Sequence, residues 1–391
     1  MVANIATSRP TPWGRGDQGI YIVRILFVGG EDSLPSDLVS LVSDMDDGWQ
    51  VQRAADGAAA TTLITDTPQD VVVVAPTLPD MPVATLLGQI RTLRPETSRI
   101  AVFGGQPPAR VLSLAHRFLP LPVGEAQLLE AIGSLEELRE LLDNPDLRER
   151  IGKIEKLPSP PQTYLALAHA LESDEDSNAN DVAQLIAGDP AIAAKVLQLC
   201  NSAYFSAGRT ITDLRSAVTR LGLATMRDLV LASEVFASPA RSDLDRPAMQ
   251  QRALLASQLA RRMLPESSAE LGATAALLAD IGLLLPGVRD ERAPIETQPA
   301  DVPGHTEAGA YLLGLWGLPM PIIEAVAFQR DPARAGTRSF WVTGAVHVAT
   351  ALASGEPVRE DYLQRTGVLG KLDAWRSHAA QLKGMDAAQP A

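Results

Sequence analysis

Short apolar runs alternate with helical patterns over the first third of the chain. The runs YIVRILFV, WQVQRA, DVVVVA and RIAVFG are rich in β-branched residues and predict strands, of which DVVVVA is the most clearly buried. Between them, residues 37–43 and the segments GAAATTLI and AQLLEAIGSL predict helices. Strands that alternate with helices favour βαβ units and a parallel sheet. We therefore predict an α/β domain here.

The strand patterns stop after Ser134. The next segment, LEELRELLDNPDLRERIGKIEKL, has mixed charge at helical spacing and predicts a connecting helix that is interrupted near Pro145. Asp189 and Pro190 are typical of a helix start, and Gly222 is expected to end a later helix. We therefore predict five parts: a flexible N-terminus (1–20), the α/β domain (21–134), a helical linker (135–156), an all-α domain (150–355), and a C-terminal helix and tail (356–391).

Length, composition and charge narrow the classes of function. A chain of 391 residues, 46% hydrophobic and 21% charged, is typical of a soluble protein with two domains. Its net charge of -13 repels phosphate backbones, so we do not expect nucleic-acid binding. The single cysteine, Cys200, lies on an apolar helix face and is expected to be buried. We find no signal peptide and no stretch of about 20 apolar residues, and expect a cytoplasmic protein without a membrane partner.

Three segments of the α/β domain carry a family resemblance. ILFVGGEDS, DVVVVAPTLPDMP and RFLPLPV, with the strand order around them, resemble signature regions of the receiver domain of bacterial response regulators, which implies a flavodoxin-like parallel sheet. A working receiver needs an acidic pair to hold Mg²⁺, an aspartate that accepts phosphate, a hydroxyl and a lysine. The resemblance assigns these positions to Gly29 and Gly30, Ala75, Gly104 and Leu121, respectively. We expect a degenerate receiver, or pseudo-receiver, that is not phosphorylated at the usual position.

The helical region carries a second resemblance. KLPSPPQTYLAL, DVAQLIAGDPAIAAKVLQLCNSAYF, ITDLRSAVTRLGLATMRDLVLASEVF and AYLLGLWGLPMPIIEAVAFQRDP follow the spacing of the HDOD domain, a silent relative of the HD phosphohydrolases. Those enzymes bind metal through histidines and a contiguous His-Asp pair. The resemblance assigns Ala279 and Asp280 to that pair, Arg252 to an upstream histidine, and Gln329 and Arg330 to paired histidines. We therefore expect no catalytic residues, no metal and no cofactor.

A few polar residues remain as candidates in this region. His305 precedes a predicted helix and, with Asp280, supplies at most two ligands, fewer than the three that a catalytic metal site usually needs. We interpret His305 as a hydrogen-bonding residue at the helix start and expect Asp280 either to cap a helix end or to form hydrogen bonds there. Asn201, Ser202 and Tyr204 form either a contact patch for a ligand or partner, or a helix end and loop.

These features leave three functional hypotheses. The first is a non-enzymatic signal-transduction adaptor that binds other signalling proteins, such as a kinase or a cyclic-dinucleotide enzyme. The second is a non-hydrolysing nucleotide sensor, in which Arg252 and Arg330 face a phosphate. The third is a divergent metal-dependent HD phosphodiesterase that uses Asp280 and His305. The missing imidazoles favour the first.

Overall fold

A computed structural model describes residues 22–46, 48–104, 108–142, 144–153, 179–201, 211–231, 244–293, 302–336 and 339–386. Its first domain is built on a five-stranded parallel sheet in the order β2-β1-β3-β4-β5. The strands are β1 (Val23–Val28), β2 (Trp49–Ala54), β3 (Val71–Val74), β4 (Ser98–Phe103) and β5 (Arg117–Pro120). This order is that of the flavodoxin-like fold. The predicted α/β class and parallel sheet are confirmed.

Helices cover both faces of this sheet. They are α1 (Ser36–Met45), α2 (Gly57–Asp66), α3 (Val83–Leu93), α4 (Ala109–Leu114), α5 (Glu125–Leu141) and α6 (Pro145–Gly152). Helix α5 continues beyond Ser134, so the predicted domain boundary falls inside a helix. The predicted interruption near Pro145 is present, because Asn144 caps α6 by accepting a hydrogen bond from the amide of Leu147 at 3.1 Å.

The described residues after Gly152 are almost entirely helical. The helices are α7 (Ala179–Ala187), α8 (Pro190–Asn201), α9 (Leu214–Leu231), α10 (Arg246–Met263), α11 (Glu266–Leu277), α12 (His305–Leu315), α13 (Met320–Ala327), α14 (Val342–Ser354), α15 (Glu360–Arg365) and α16 (Leu372–Asp386). Short 3₁₀ turns lie at Ile281–Leu284, Pro332–Ala335 and Leu369–Lys371. The predicted all-α architecture is confirmed for these residues.

Local signals in the sequence explain several of these helix ends. Asp189 caps α8 and accepts a hydrogen bond from the amide of Ala191 at 2.8 Å. Gly222 interrupts α9 with a left-handed φ of +76°, a conformation that favours glycine.

Cys200 is fully buried, and burial raises the pKa of its thiol to about 12, so the side chain serves packing.

The two domains share a continuous hydrophobic core, and one buried arginine joins them directly. Arg117 of β5 donates to the carbonyl oxygens of Gly314 at 2.8 Å and Leu315 at 3.3 Å, at the end of α12. The same guanidinium donates to the carbonyl oxygen of Ala131 in α5 at 2.7 Å. Carbonyls in the last turn of a helix lack the regular partner four residues on, and the cation adds a charged donor to the amide of Gly317 that already donates to Gly314 at 3.0 Å. Helix α12 is therefore held against the first domain.

One segment corrects the expectation about apolar stretches. Glu266–Leu284 is, among the described residues, long and apolar enough to cross a membrane by length and composition. However, 72% of its most apolar window is buried inside the protein, and the core helix of a soluble protein passes the same test.

Candidate functional site

The structure brings the degenerate receiver positions together at the carboxyl edge of the sheet. Gly29 and Ala75 directly follow β1 and β3, and the amide of Ala75 donates to the carbonyl oxygen of Val28 at 2.9 Å. A side chain on Gly29 would overlap the methyl group of Ala75, and Gly29 has a φ of +129° that disfavours other residues. An acidic residue at position 29 is therefore incompatible with this packing.

The other two positions also adjoin each other. A Cβ atom on Gly104 would lie 3.5 Å from Cδ1 of Leu121, an ordinary van der Waals distance. Gly30 is exposed in the turn after β1. The side chain of Arg53 extends to this edge and donates to the carbonyl oxygens of Gly29 at 3.4 Å and Leu34 at 2.9 Å. A guanidinium thus contacts the backbone at the position of the missing acidic pair.

Asp80, the nearest aspartate after β3, has a structural role. Its carboxylate accepts hydrogen bonds from the amides of Gly57 and Ala58, both at 2.9 Å, at the start of α2. The hydrogen bond from Gly57 is the main reason that the pKa of Asp80 is lowered. This carboxylate therefore stabilises a helix N-terminus rather than only a local turn.

In the helical domain, the surviving aspartate is paired with an arginine. Oδ2 of Asp280 accepts a hydrogen bond from Nη1 of Arg292 at 2.6 Å, and Oδ1 lies 3.6 Å from Nε2 of His305. Burial by itself raises the pKa of Asp280, but His305 and Arg292 outweigh burial and hold the pKa well below its usual range. Asp280 is therefore a buried carboxylate neutralised by a guanidinium. It makes no side-chain cap hydrogen bond to the following turn. Of the two expected roles, Asp280 therefore has the hydrogen-bonding one, to Arg292 and beside the start of α12.

His305 lies at the first position of α12 and is held by the loop that carries Arg292. Its Nδ1 accepts a hydrogen bond from the amide of Glu291 at 3.2 Å. The carboxylate of Glu291 in turn accepts from the amide of Thr306 at 3.0 Å and from its hydroxyl at 2.8 Å. This agrees with the interpretation of His305 as a hydrogen-bonding residue at a helix start.

The other predicted metal positions face different partners. Ala279 is buried, and its carbonyl oxygen accepts a hydrogen bond from Nε2 of Gln329 at 2.7 Å. Nη1 of Arg330 donates to the carboxylate of Glu356 at 2.8 Å. Arg252 lies on α10 and is not among the residues that line the cavity containing Asp280, Gln329 and Arg330. The structure therefore does not place it beside Arg330, and its hypothesised contact with a phosphate stays a prediction.

These side chains do not fit a metal ion of the HD type. Asp280 and His305 provide two ligands, and Arg292 brings a positive charge to the carboxylate that a metal would need. Among the described residues, no group of three or more His, Cys, Asp or Glu side chains is arranged to hold a metal ion.

The predicted patch at the end of α8 is only partly described. The side chain of Asn201 donates to the carbonyl oxygen of Ile211 at 2.7 Å and accepts from the amide of Ile211 at 2.7 Å. It thereby fixes the chain before α9, which is a structural role. Ser202 and Tyr204 lie outside the described residues.

The sequence analysis missed Arg292, Glu291, Glu356 and Arg359. The first two belong to the charged run RDER, residues 289–292, which looks like a solvated loop in the sequence. The sequence signal for Arg292 and Glu291 was a charged run between two apolar segments, and such a run does not indicate which residue each side chain pairs with.

Comparisons with known proteins agree with this architecture. Residues 157–332 match the HDOD domain family. A protein of Treponema pallidum (strain Nichols) described as uncharacterized is 27% identical over 204 residues, which cover 46% of this chain and 38% of that protein. The chain thus spans less than half the length of this relative.

Solved structures of a response regulator and of a receiver domain are also similar. The MmoQ response regulator from Methylococcus capsulatus str. Bath is 23% identical, with 56% of this chain and 97% of that chain covered and a TM-score of 0.45. The signal receiver domain of an HD domain-containing protein from Pseudomonas fluorescens Pf-5 is 26% identical, with coverages of 32% and 93% and a TM-score of 0.29. From the family match and the sheet order, this protein carries an HDOD domain over residues 157–332, preceded by a receiver-like α/β domain.

Proposed function

We propose that this protein is a non-catalytic signalling regulator that acts by binding another signalling protein. The observation that carries the proposal is the buried pair of Asp280 and Arg292, with 2.6 Å between Oδ2 and Nη1. Metal-dependent hydrolysis needs an ion that activates water, and this ion needs about three protein ligands. Here both oxygens of the surviving carboxylate face Arg292 and His305 instead.

The receiver-like domain supports the same proposal. Phosphoryl transfer to a receiver needs a carboxylate at the position of Ala75 and a metal ion beside it. Ala75 offers a methyl group, and the carboxylate of Asp80 is engaged by two amides of α2. The proposed regulator is therefore not phosphorylated at the usual position.

A regulator without turnover acts through association. The net charge of -13 disfavours nucleic acid, so another signalling protein, such as a kinase or a cyclic-dinucleotide enzyme, is the proposed partner. The affinity of such a complex can be measured by titrating the full-length chain with each purified candidate partner. If no candidate binds at micromolar concentration, the proposed mode of action is contradicted.

The catalytic question is tested on the purified full-length protein. We expect no stoichiometric manganese or magnesium and no hydrolysis of cyclic dinucleotides when either metal is supplied. Bound metal together with turnover that disappears in Asp280→Ala would overturn the proposal. A restoration variant, Ala279→His with Arg292→Gln, is expected to bind manganese more tightly than the wild type, because it adds an imidazole and removes the competing cation.

A further inference from the structure

Three positions of the vacated metal site, Asp280, Gln329 and Arg330, line one cavity of about 460 Å³. This volume lies within the range of roughly 300–1,000 Å³ that is usual for small-molecule sites. Asp280, His305, Gln329 and His347 are buried side chains of its lining, and Arg330 and Glu356 are half-buried. The cavity is much larger than a phosphate ion and has the size of a nucleotide.

Most of the charged groups that line this cavity already make several hydrogen bonds to other side chains. Arg292 donates from three nitrogens to Asp280 and Asp290. Arg359 likewise donates from three nitrogens to Asp331 and Asp361. These two guanidiniums have little capacity left for a ligand.

His347 is also fully engaged. Its Nδ1 pairs with the carbonyl oxygen of Gln329 at 2.7 Å, and its Nε2 accepts from the amide of Arg359 at 2.9 Å. Burial lowers the pKa of His347, which keeps the ring neutral. The imidazole therefore fixes the wall of the cavity and offers no free donor.

Arg330 differs from these groups. Only its Nη1 is engaged, by Glu356 at 2.8 Å, and among the described residues Nε and Nη2 have no hydrogen-bond partner. The two side chains are 36% and 27% exposed, and ion pairs at such exposure are weak. The hydroxyl of Ser354, another lining residue, also has no hydrogen-bond partner in the described part of the chain. The cavity thus contains a guanidinium edge and a hydroxyl that are free to donate.

We propose that this cavity binds the phosphate group of a phosphomonoester of nucleotide size through Arg330, and that Glu356 competes with the ligand for the same guanidinium. A guanidinium fork matches phosphate oxygens in a bidentate way, and a dianionic phosphate attracts it more strongly than one carboxylate does. Glu356 is therefore an internal competitor, because a ligand held by Nε and Nη2 shares the positive charge of Arg330 with this carboxylate on Nη1. The inference deepens the proposed function, because a regulator that does not turn its ligand over needs only to bind it.

The test is calorimetric titration of the full-length protein with AMP, GMP, inorganic phosphate and a cyclic dinucleotide. We expect a nucleoside monophosphate to bind, inorganic phosphate to bind more weakly, and the diester, which lacks a terminal phosphate, to bind least. Glu356→Gln should tighten binding by about 3- to 10-fold, since it removes the competing charge, and Arg330→Gln should weaken it at least about 10-fold. Arg359→Gln is the matched control and should change affinity by less than about 3-fold.

Three outcomes would overturn the inference. The first is that no probe gives heat of binding with either the wild type or Glu356→Gln. The second is that Glu356→Gln binds the nucleoside monophosphate no more tightly than the wild type does. The third is that Arg330→Gln and Arg359→Gln lose equal affinity. Arg330 and Glu356 are half-buried side chains outside the core, so we expect each variant to keep the fold, and circular dichroism of each variant verifies this. Absence of binding leaves the non-catalytic proposal intact, whereas hydrolysis of a bound probe would overturn that proposal and leave the Arg330 site standing.

Discussion

Replacing Arg292 by glutamine should uncover a buried charge. The guanidinium and the carboxylate of Asp280 are only 14% and 11% exposed, and they lie 2.6 Å apart. Breaking a buried pair by removing one partner typically costs about 3–5 kcal/mol, because the remaining charge loses its compensation. His305 still faces the carboxylate at 3.6 Å, so we expect the lower end, about 3 kcal/mol of unfolding free energy at pH 7.

The same substitution should change the response to acid. In the wild type the pKa of Asp280 is held below its unfolded value, so the stabilisation is complete above about pH 4 and is lost as the pH falls through the folded pKa. Without Arg292, burial raises the pKa of this carboxyl. Arg292→Gln should therefore unfold at a higher pH than the wild type.

Urea denaturation followed by far-ultraviolet circular dichroism measures both effects. Arg261→Gln is the matched control, because it breaks an ion pair with Glu270 at 2.8 Å whose side chains are 52% and 49% exposed. We expect this control to cost less than about 1 kcal/mol. A cycle with Asp280→Asn should give a coupling energy above about 1 kcal/mol. Equal costs for the two arginine variants, or additive effects in the cycle, would refute the reasoning.

Three further predictions concern other parts of the molecule. Gly29→Asp should destabilise the protein by about 1–3 kcal/mol, since the new side chain overlaps Ala75, and it should gain no phosphate from acetyl phosphate; a mass increase of one phosphate would contradict this. Burial lowers the pKa of Lys195 to about 7, so the unfolded chain binds more protons between pH 7 and about 10.4 and the unfolding free energy should rise over this range. The centroid of the Trp316 ring lies 5.3 Å from Nζ of Lys195, which favours the charged form and limits this rise of the unfolding free energy. Lys195→Met should not show the rise in denaturation experiments, and an equal rise in this variant would contradict the attribution to Lys195. Arg117→Gln should cost about 1.5–3 kcal/mol and speed amide hydrogen exchange in α12, and unchanged exchange there would show that the domains are held together by other contacts.

Much of the fold was predictable because its signals are local. The run WQVQRA forms β2 over the predicted residues, and DVVVVA contains β3. Helices α3 and α4 were not predicted, and α4, with six residues, is too short to show a clear period. The end of α5 was also misplaced, since a helix that packs against both domains shows no change of pattern at the boundary between them.

The sequence indicated some residues of the candidate site but not their partners. Asp280 and His305 were selected as possible neighbours, and the structure brings them to 3.6 Å. Arg292 was missed because nothing in a charged loop specifies which carboxylate it pairs with. Arg252 was grouped with these positions by the family resemblance alone, which supplies a position on a helix and not a place in the cavity.

The sequence by itself determined the strand and helix patterns, the cap at Asp189 and the interruption near Pro145, and the absence of reactive residues at the positions that the two family resemblances assign. These properties depend on residues that are near one another in the chain, or on the identity of a single side chain. Only the tertiary structure decided that Arg292 neutralises Asp280, that Arg117 holds α12, and that Nε and Nη2 of Arg330 have no hydrogen-bond partner within the described part of the chain. Each of these depends on distances between segments far apart in sequence, which are set by the packing of the whole core.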